Sequence, residues 1–267
     1  MRKGFTLIEL LIAVVVFAFL FIIIMRFYIV EHKTWLYMNQ VAEMQQSGRV
    51  SMEEIARTIR MAGYMVPASL ELIRSYDTNP DSIKIRSNFK DISTRLKFDL
   101  AVGGNLVVVD TTGFQIGGFV CLQSSEIGEC GRITNITPFV LGGYLISTSS
   151  AIAGSFDKNK TVVCPVDEVT YFLKKDTTGS YLMKRINREA AQIFAENIER
   201  LQFRYLCEDT IVDTLDFVDT LFNDRTVRVV YVDITARSER PDPDITTGNG
   251  YRRRQYNTGI KIRNYRY

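Results

Sequence analysis

A single histidine, His32, in 267 residues removes most Ser-His-Asp and Cys-His arrangements from consideration. No G-x-x-x-x-G-K-S/T loop and no G-x-G-x-x-G occurs, so nothing in the sequence prepares a phosphate or dinucleotide site. The four cysteines lack C-x-x-C spacing, which argues against zinc. Neither proline nor glycine appears from residue 5 to residue 47, so nothing local interrupts a helix there. Net charge is only +3, and bulk charge therefore gives no argument for a nucleic-acid partner. The expectation is a chain that is not an enzyme, with no catalytic residue, cofactor or metal.

What the sequence does have is a 46% hydrophobic composition, enough for a real core, and a long apolar run near its beginning. In MRKGFTLIELLIAVVVFAFLFIIIMRF, Leu10 to Met25 contains no polar residue. Counted from Phe5, the run would make about 31 Å of helix, the thickness of a hydrocarbon core. No small-residue cleavage site follows it; Arg26, Phe27 and Tyr28 come next, unlike the end of a secretory signal peptide. Arg2 and Lys3 would hold the N-terminus in the cytoplasm and place the rest of the chain outside. One carboxylate, Glu9, sits inside the run. On insertion scales it would cost about 2.5 to 3.5 kcal/mol at mid-bilayer, and a plain anchor does not account for it.

MRKGFTLIELLIA resembles the prepilin signature of type IV pilins and type II secretion pseudopilins. The resemblance implies cleavage between Gly4 and Phe5 by the prepilin peptidase and N-methylation of Phe5. Glu9 would then pair with the N-terminal amine of a neighbouring subunit. The physics agrees, because a carboxylate in a low-dielectric environment is tolerable when an opposite charge meets it. The absence of proline in the following stretch departs from many major pilins.

Helical periodicity continues past the run. Met38, Val41, Gly48, Met52, Ile55, Ile59 and Ala62 form an apolar stripe, with Glu53 and Arg57 as an i to i+4 pair on the other face. Gly63 suits a C-cap and Pro67 limits continuation, so the helix is expected from Phe5 to Ala62. His32, beside Glu31 and Lys33, reads as a solvated interface residue. From residue 80 the period becomes two. Leu96 to Val102 and Leu106 to Val109 read as a hairpin around Gly103-Gly104-Asn105. Further strands are expected at Ile83 to Arg86, Gly118 to Gln123, Arg132 to Ile136 and Tyr144 to Ser147. A second hairpin, Val166 to Lys174 with Tyr181 to Ile186, turns through residues 177 to 180, and long strands follow at Ile198 to Leu206 and Thr226 to Ala236.

Three head segments extend the resemblance to PilW-type minor pilins. They are SGRVSMEEIARTIRMAGY (47–64), also similar to J-type pseudopilins, the stretch from EVTYFLKK to LQFRYL (168–206), and TVRVVYVDITARSERPD with the ending NTGIKIRN. The implied fold class is α+β, a type IV pilin-like fold in which a long N-terminal helix packs on a strand-rich, mainly antiparallel head. The implied divisions are a leader (1–4), a transmembrane or filament-core helix (5–30), an amphipathic helix (31–63) and a periplasmic or extracellular head (64–267). The implied function is a minor pilin in pilus initiation or a tip complex, held in the inner membrane before reaching the cell surface. Other minor and major pilins, the prepilin peptidase and the assembly platform would be its partners. A type II secretion pseudopilin, or a filament-borne module binding DNA or a surface, is the alternative.

Three features of the head remain open. Cys121, Cys130, Cys164 and Cys207 allow three pairings; Cys121 with Cys130 and Cys164 with Cys207 is favoured, against buried free thiols. Residues 208–224 are acidic, yet no calcium loop is present. There Ile211, Val212, Leu215, Val218 and Phe222 share a helical face opposite Asp209, Asp213, Asp216 and Asp219, which suggests a short amphipathic helix that is either solvated or docked on a basic partner. The tail from Gly250 interleaves Arg252, Arg253, Arg254, Lys261, Arg263 and Arg266 with Tyr251, Tyr256, Tyr265 and Tyr267. Such a pattern serves a solvated edge strand, subunit docking or, least favoured, DNA contact through Arg252, Arg253, Arg254 and Tyr256.

Overall fold

The computed structural model describes residues 7–76, 81–177, 179–207, 210–213, 227–242, 245 and 248–264. Helix α1 (Leu7–Met61) runs for 55 residues, about 80 Å, as the uninterrupted pattern requires. Its two halves differ in environment. From Leu7 to Leu36 every residue is exposed, whereas Met44, Gly48, Ser51, Ile55, Ala56, Thr58 and Ile59 are buried against the head. The helix ends at a built cap. Gly63, at φ 79°, donates its N–H to the Arg86 carbonyl at 3.0 Å. The Met61 carbonyl accepts from Ser87 Oγ (2.6 Å) and Asn264 Nδ2 (3.3 Å), so the last turn is fastened to both a strand and the C-terminal segment.

The strands follow in order: β1 (Ile73–Tyr76), β2 (Ser82–Ser87), β3 (Thr94–Arg95), β4 (Leu106–Val108), β5 (Phe119–Gln123), β6 (Gly128–Pro138) and β7 (Tyr144–Thr148). After these come β8 (Val162–Lys175), β9 (Ser180–Ile186), β10 (Gln192–Glu196), β11 (Ile198–Cys207), β12 (Thr210–Val212), β13 (Val227–Arg237) and β14 (Arg253–Lys261). They form two antiparallel sheets. The ten-stranded one follows β1-β2-β8-β5-β6-β7-β4, with β3 and β9 on β8 and β10 on β9; the other is β12-β11-β13-β14. Strand β8 links the two parts of the larger sheet: one edge passes from β3 at Val162 and Val163 to β2 at Asp167 to Phe172, and the other exchanges β5 for β9 between Val166 and Val169.

Alternation along β5 divides the interior. Phe119 and Cys121 face a core with Ile55, Ile59, Tyr171, Phe203 and Val232, while Val120 and Leu122 face a second core of Leu96, Leu100, Leu106, Phe114, Ile146, Phe156 and Val163. The helix belongs to the first core only. The second is a satellite built by the segments from residue 96 to residue 163.

Three expectations are corrected. The hairpin around Gly103-Gly104-Asn105 does not zip: Leu96 bridges Val108, but Leu100 bridges Phe156 and β4 takes β7 as its ladder partner. Phe156 and Ile146 offer Leu100 and Leu106 a common core, which outweighs local turn closure. Arg57 pairs with Glu54 at 2.6 Å rather than Glu53, because Glu54 points toward the head and meets Lys184 as well. Finally, Ile211 and Val212 lie in β12, paired with Leu206 and Tyr205, not on a helix; Leu215, Val218 and Phe222 of that expected helix lie outside the described residues, as do Asp209, Asp216 and Asp219.

Candidate functional site: the exposed helix and its seat on the head

Over an 18-residue window α1 has a mean hydropathy of 3.3 and none of that window is buried, which makes it long and apolar enough to cross a membrane. Leu7, Ile8, Leu10, Phe17, Phe19 and Ile24 exemplify side chains exposed by more than half. Such a surface is stable only in lipid or against other helices. Glu9 lies in the first turn of the described helix; Gly4 and Phe5 lie outside the described residues. At the far end of the apolar run, His32 is stacked between Tyr28 (ring centroids 5.8 Å apart) and Trp35 (6.2 Å). Amphipathic rings there suit the headgroup level of a bilayer.

The second half of α1 is seated by particular contacts. At Gly48 the Tyr256 ring comes so close that a Cβ would lie 2.3 Å from it, and Tyr256 Oη donates to the Gln45 carbonyl at 3.1 Å. Nearly two turns on, Glu54 accepts from Lys184 Nζ (2.7 Å) and Tyr171 Oη (3.3 Å), with Thr58 Oγ1 2.9 Å from the same phenol. Burial would raise the Glu54 carboxyl, but the Lys184 hydrogen bond and charge, with Arg57 behind them, hold it below the usual carboxylate range. Burial pushes the Tyr171 phenol upward, so it remains a neutral donor.

Below the cap lies a polar knot. Arg86 joins Glu71 (3.2 Å) to the buried Glu168 (2.8 Å), and Arg132 approaches Glu168 at 3.3 Å while donating to the Gly117 carbonyl at 2.7 Å. Both guanidiniums lie over the Phe119 ring, at 5.2 and 4.2 Å. Burial alone would lift the Glu168 carboxyl; the charges of Arg86 and Arg132 and the Arg86 hydrogen bond outweigh it and lower it. The knot stands where β8 changes neighbours, with Asn187 Oδ1 accepting the Glu168 N–H at 2.9 Å. It is structural in form, with its charges turned on one another.

Cys121 and Cys130 are joined by a disulfide. Cys164 and Cys207 are not joined, which corrects the expected second bond. Cys164 lies on β8 within the large sheet and Cys207 ends β11 in the other, and both are buried thiols. The arginine-tyrosine tail is β14 and its approach, and two of its charges are held in ion pairs. Arg252 meets Asp242 at 2.6 Å, and Arg253 holds Glu199 with two bonds of 2.6 and 3.0 Å. Arg254 is exposed beside the Tyr256 ring. Tyr256 itself is turned to the helix, so the expected stacking role would require it to leave Gly48. Tyr265, Arg266 and Tyr267 lie outside the described residues.

Sequence reasoning placed Gly48 in the stripe but missed that it is a notch for Tyr256. The signal was a glycine in an otherwise glycine-free helix. Glu54, Lys184 and Tyr171 carried no local signal. Among the described residues no group of three His, Cys, Asp or Glu side chains could hold a metal ion.

No curated protein matches the chain. Among solved structures, a type IV-like pilin from Thermus thermophilus is similar over 83% of this chain and 98% of its own, at 10% identity and a TM-score of 0.39. The first 25 residues, which lead into and form the exposed half of α1, match the family description "Prokaryotic N-terminal methylation motif".

Proposed function

We propose that this chain is a pilin-like, non-catalytic structural subunit, processed between Gly4 and Phe5, and within that class a minor pilin of the PilW type. It would join other minor and major pilins to start or cap a type IV pilus, after waiting in the inner membrane with its head in the periplasm. The carrying observation is the division of α1: an apolar half left wholly exposed that carries most of the methylation motif, and a second half locked to a head. Neighbouring helices would cover that half in a filament, with a gain on the order of 25 cal/mol for each Å² of apolar surface buried. Cleavage at Gly4 would create the amine that compensates Glu9 in such a dry environment.

The test is Glu9→Val in the native host. The variant is expected to be cleaved and N-methylated at Phe5, as mass spectrometry of the mature chain would read, yet to be absent from sheared filaments. Incorporation at the wild-type level, or an intact Met1 in the wild type, would overturn the proposal.

A further inference from the structure

Three of the four cysteines stand in one row across adjacent strands. In the registers of β6, β5 and β8, Cys130 lies opposite Cys121 and Cys121 lies opposite Cys164. Residues directly opposite on antiparallel strands point to the same face with Cα atoms about 4.5 to 5.5 Å apart, within the span a disulfide bridges. All three side chains adjoin the helix-side core. The Cys164 thiol is 3.7 Å from the Cys121 carbonyl and donates at 3.4 Å to the carbonyl of Met65, in the turn that leaves α1.

We propose that this row is a thiol–disulfide exchange site in which Cys121 bonds to either neighbour. The Cys164 thiolate attacks Cys121 Sγ; the Cys121–Cys164 bond forms as the Cys121–Cys130 bond breaks. The electron pair leaves on Cys130 Sγ, which takes up a proton equivalent to the one Cys164 lost. One disulfide and one thiol exist before and after, so no oxidant or reductant is consumed. The strand order places Cys164 and Cys130 on opposite sides of Cys121, which suits displacement at the Cys121 sulfur. Cys207, on the other sheet, has no place in the row.

The Cys121–Cys130 pairing is the one present; burial pushes the Cys164 thiol up to about 12, so little of it is ionised at neutral pH and exchange is slow. Exchange moves the staple from β5–β6 to β5–β8, frees the half-buried Cys130, and removes the Cys164 hydrogen bond from the Met65 turn. Cys130 then becomes the thiol that another disulfide-bearing protein can reach. The inference is independent of the assembly role.

The test uses the full chain in detergent with a glutathione redox buffer, followed by alkylation and non-reducing peptide mapping. Cys130→Ser is expected to yield a Cys121–Cys164 linked peptide. A folded Cys130→Ser protein in which both thiols remain alkylatable would overturn the proposal. Should that variant not fold, the wild type and Cys164→Ser are compared instead. With the glutathione left out of this comparison, Cys130 should be alkylated about tenfold faster in the wild type, because without an external thiol only Cys164 can release it; equal rates would overturn the site.

Discussion

At Gly48 two residue-scale effects of opposite sign meet. Alanine in place of glycine inside a helix gains about 1 kcal/mol of propensity. Yet the added Cβ would fall 2.3 Å from the Tyr256 ring, an aromatic edge already tied to Gln45, and overpacking of this kind costs about 1 to 3 kcal/mol. The clash is expected to win, so Gly48→Ala should lower the thermal midpoint read by circular dichroism. In a Tyr256→Ala background the same substitution should turn stabilising by about 1 kcal/mol, since propensity alone remains. Glu168 gives the second residue-scale prediction. Glu168→Gln would leave Arg86 with Glu71 and Arg132 with Gly117, and should destabilise the chain by about 3 kcal/mol in urea. Its folded-state carboxyl lies below the unfolded value. The stability it contributes is therefore complete above about pH 4.3 and is lost as pH falls through the folded value. The wild type should lose stability across that acid window, and Glu168→Gln should lose less.

At the scale of elements, α1 is two helices in one. The exposed half contributes nothing to the head's core, whose first buried helical residue is Met44. Deleting residues 1–30 should leave the head soluble and its unfolding free energy unchanged within about 1 kcal/mol, measured by urea titration; a larger loss would show that the stem supports the head. The helix, both halves of it, was legible because a 3.6-residue stripe and an unbroken apolar run are local signals. So were β2, β5 to β9, β11 and β13, as apolar and β-branched runs bounded by turn residues, with clear alternation in β11 and β13. The misread elements failed for non-local reasons. Leu96 to Leu106 satisfies a hairpin pattern, but Phe156 and Ile146 lie far along the chain and claim Leu100 and Leu106. Glu53 and Glu54 are equivalent to helix spacing; Lys184 makes Glu54 the partner of Arg57.

At the scale of the whole molecule, the disulfide joins strands where the sheet passes from the helix-side core to the satellite. Closing a nine-residue separation accounts for about 2.5 kcal/mol in a chain-entropy account. Cys121→Ser removes both pairings open to the row and should lose about that much by thermal or urea unfolding. Cys164→Ser keeps the resting bond and should lose less.

The sequence by itself determined the apolar stem, the methylation motif within the first 25 residues, the carboxylate at Glu9 and the strand-rich head, because each is written in neighbouring residues. It left open where the tyrosines and cysteines would go. Only the tertiary structure decided that Tyr256 fills the notch at Gly48, that Arg252 and Arg253 are taken by Asp242 and Glu199, and that Cys164 stands beside Cys121 instead of Cys207. Those outcomes depend on strand order and register, which arise from burying two cores at once and which no stretch of neighbouring residues contains.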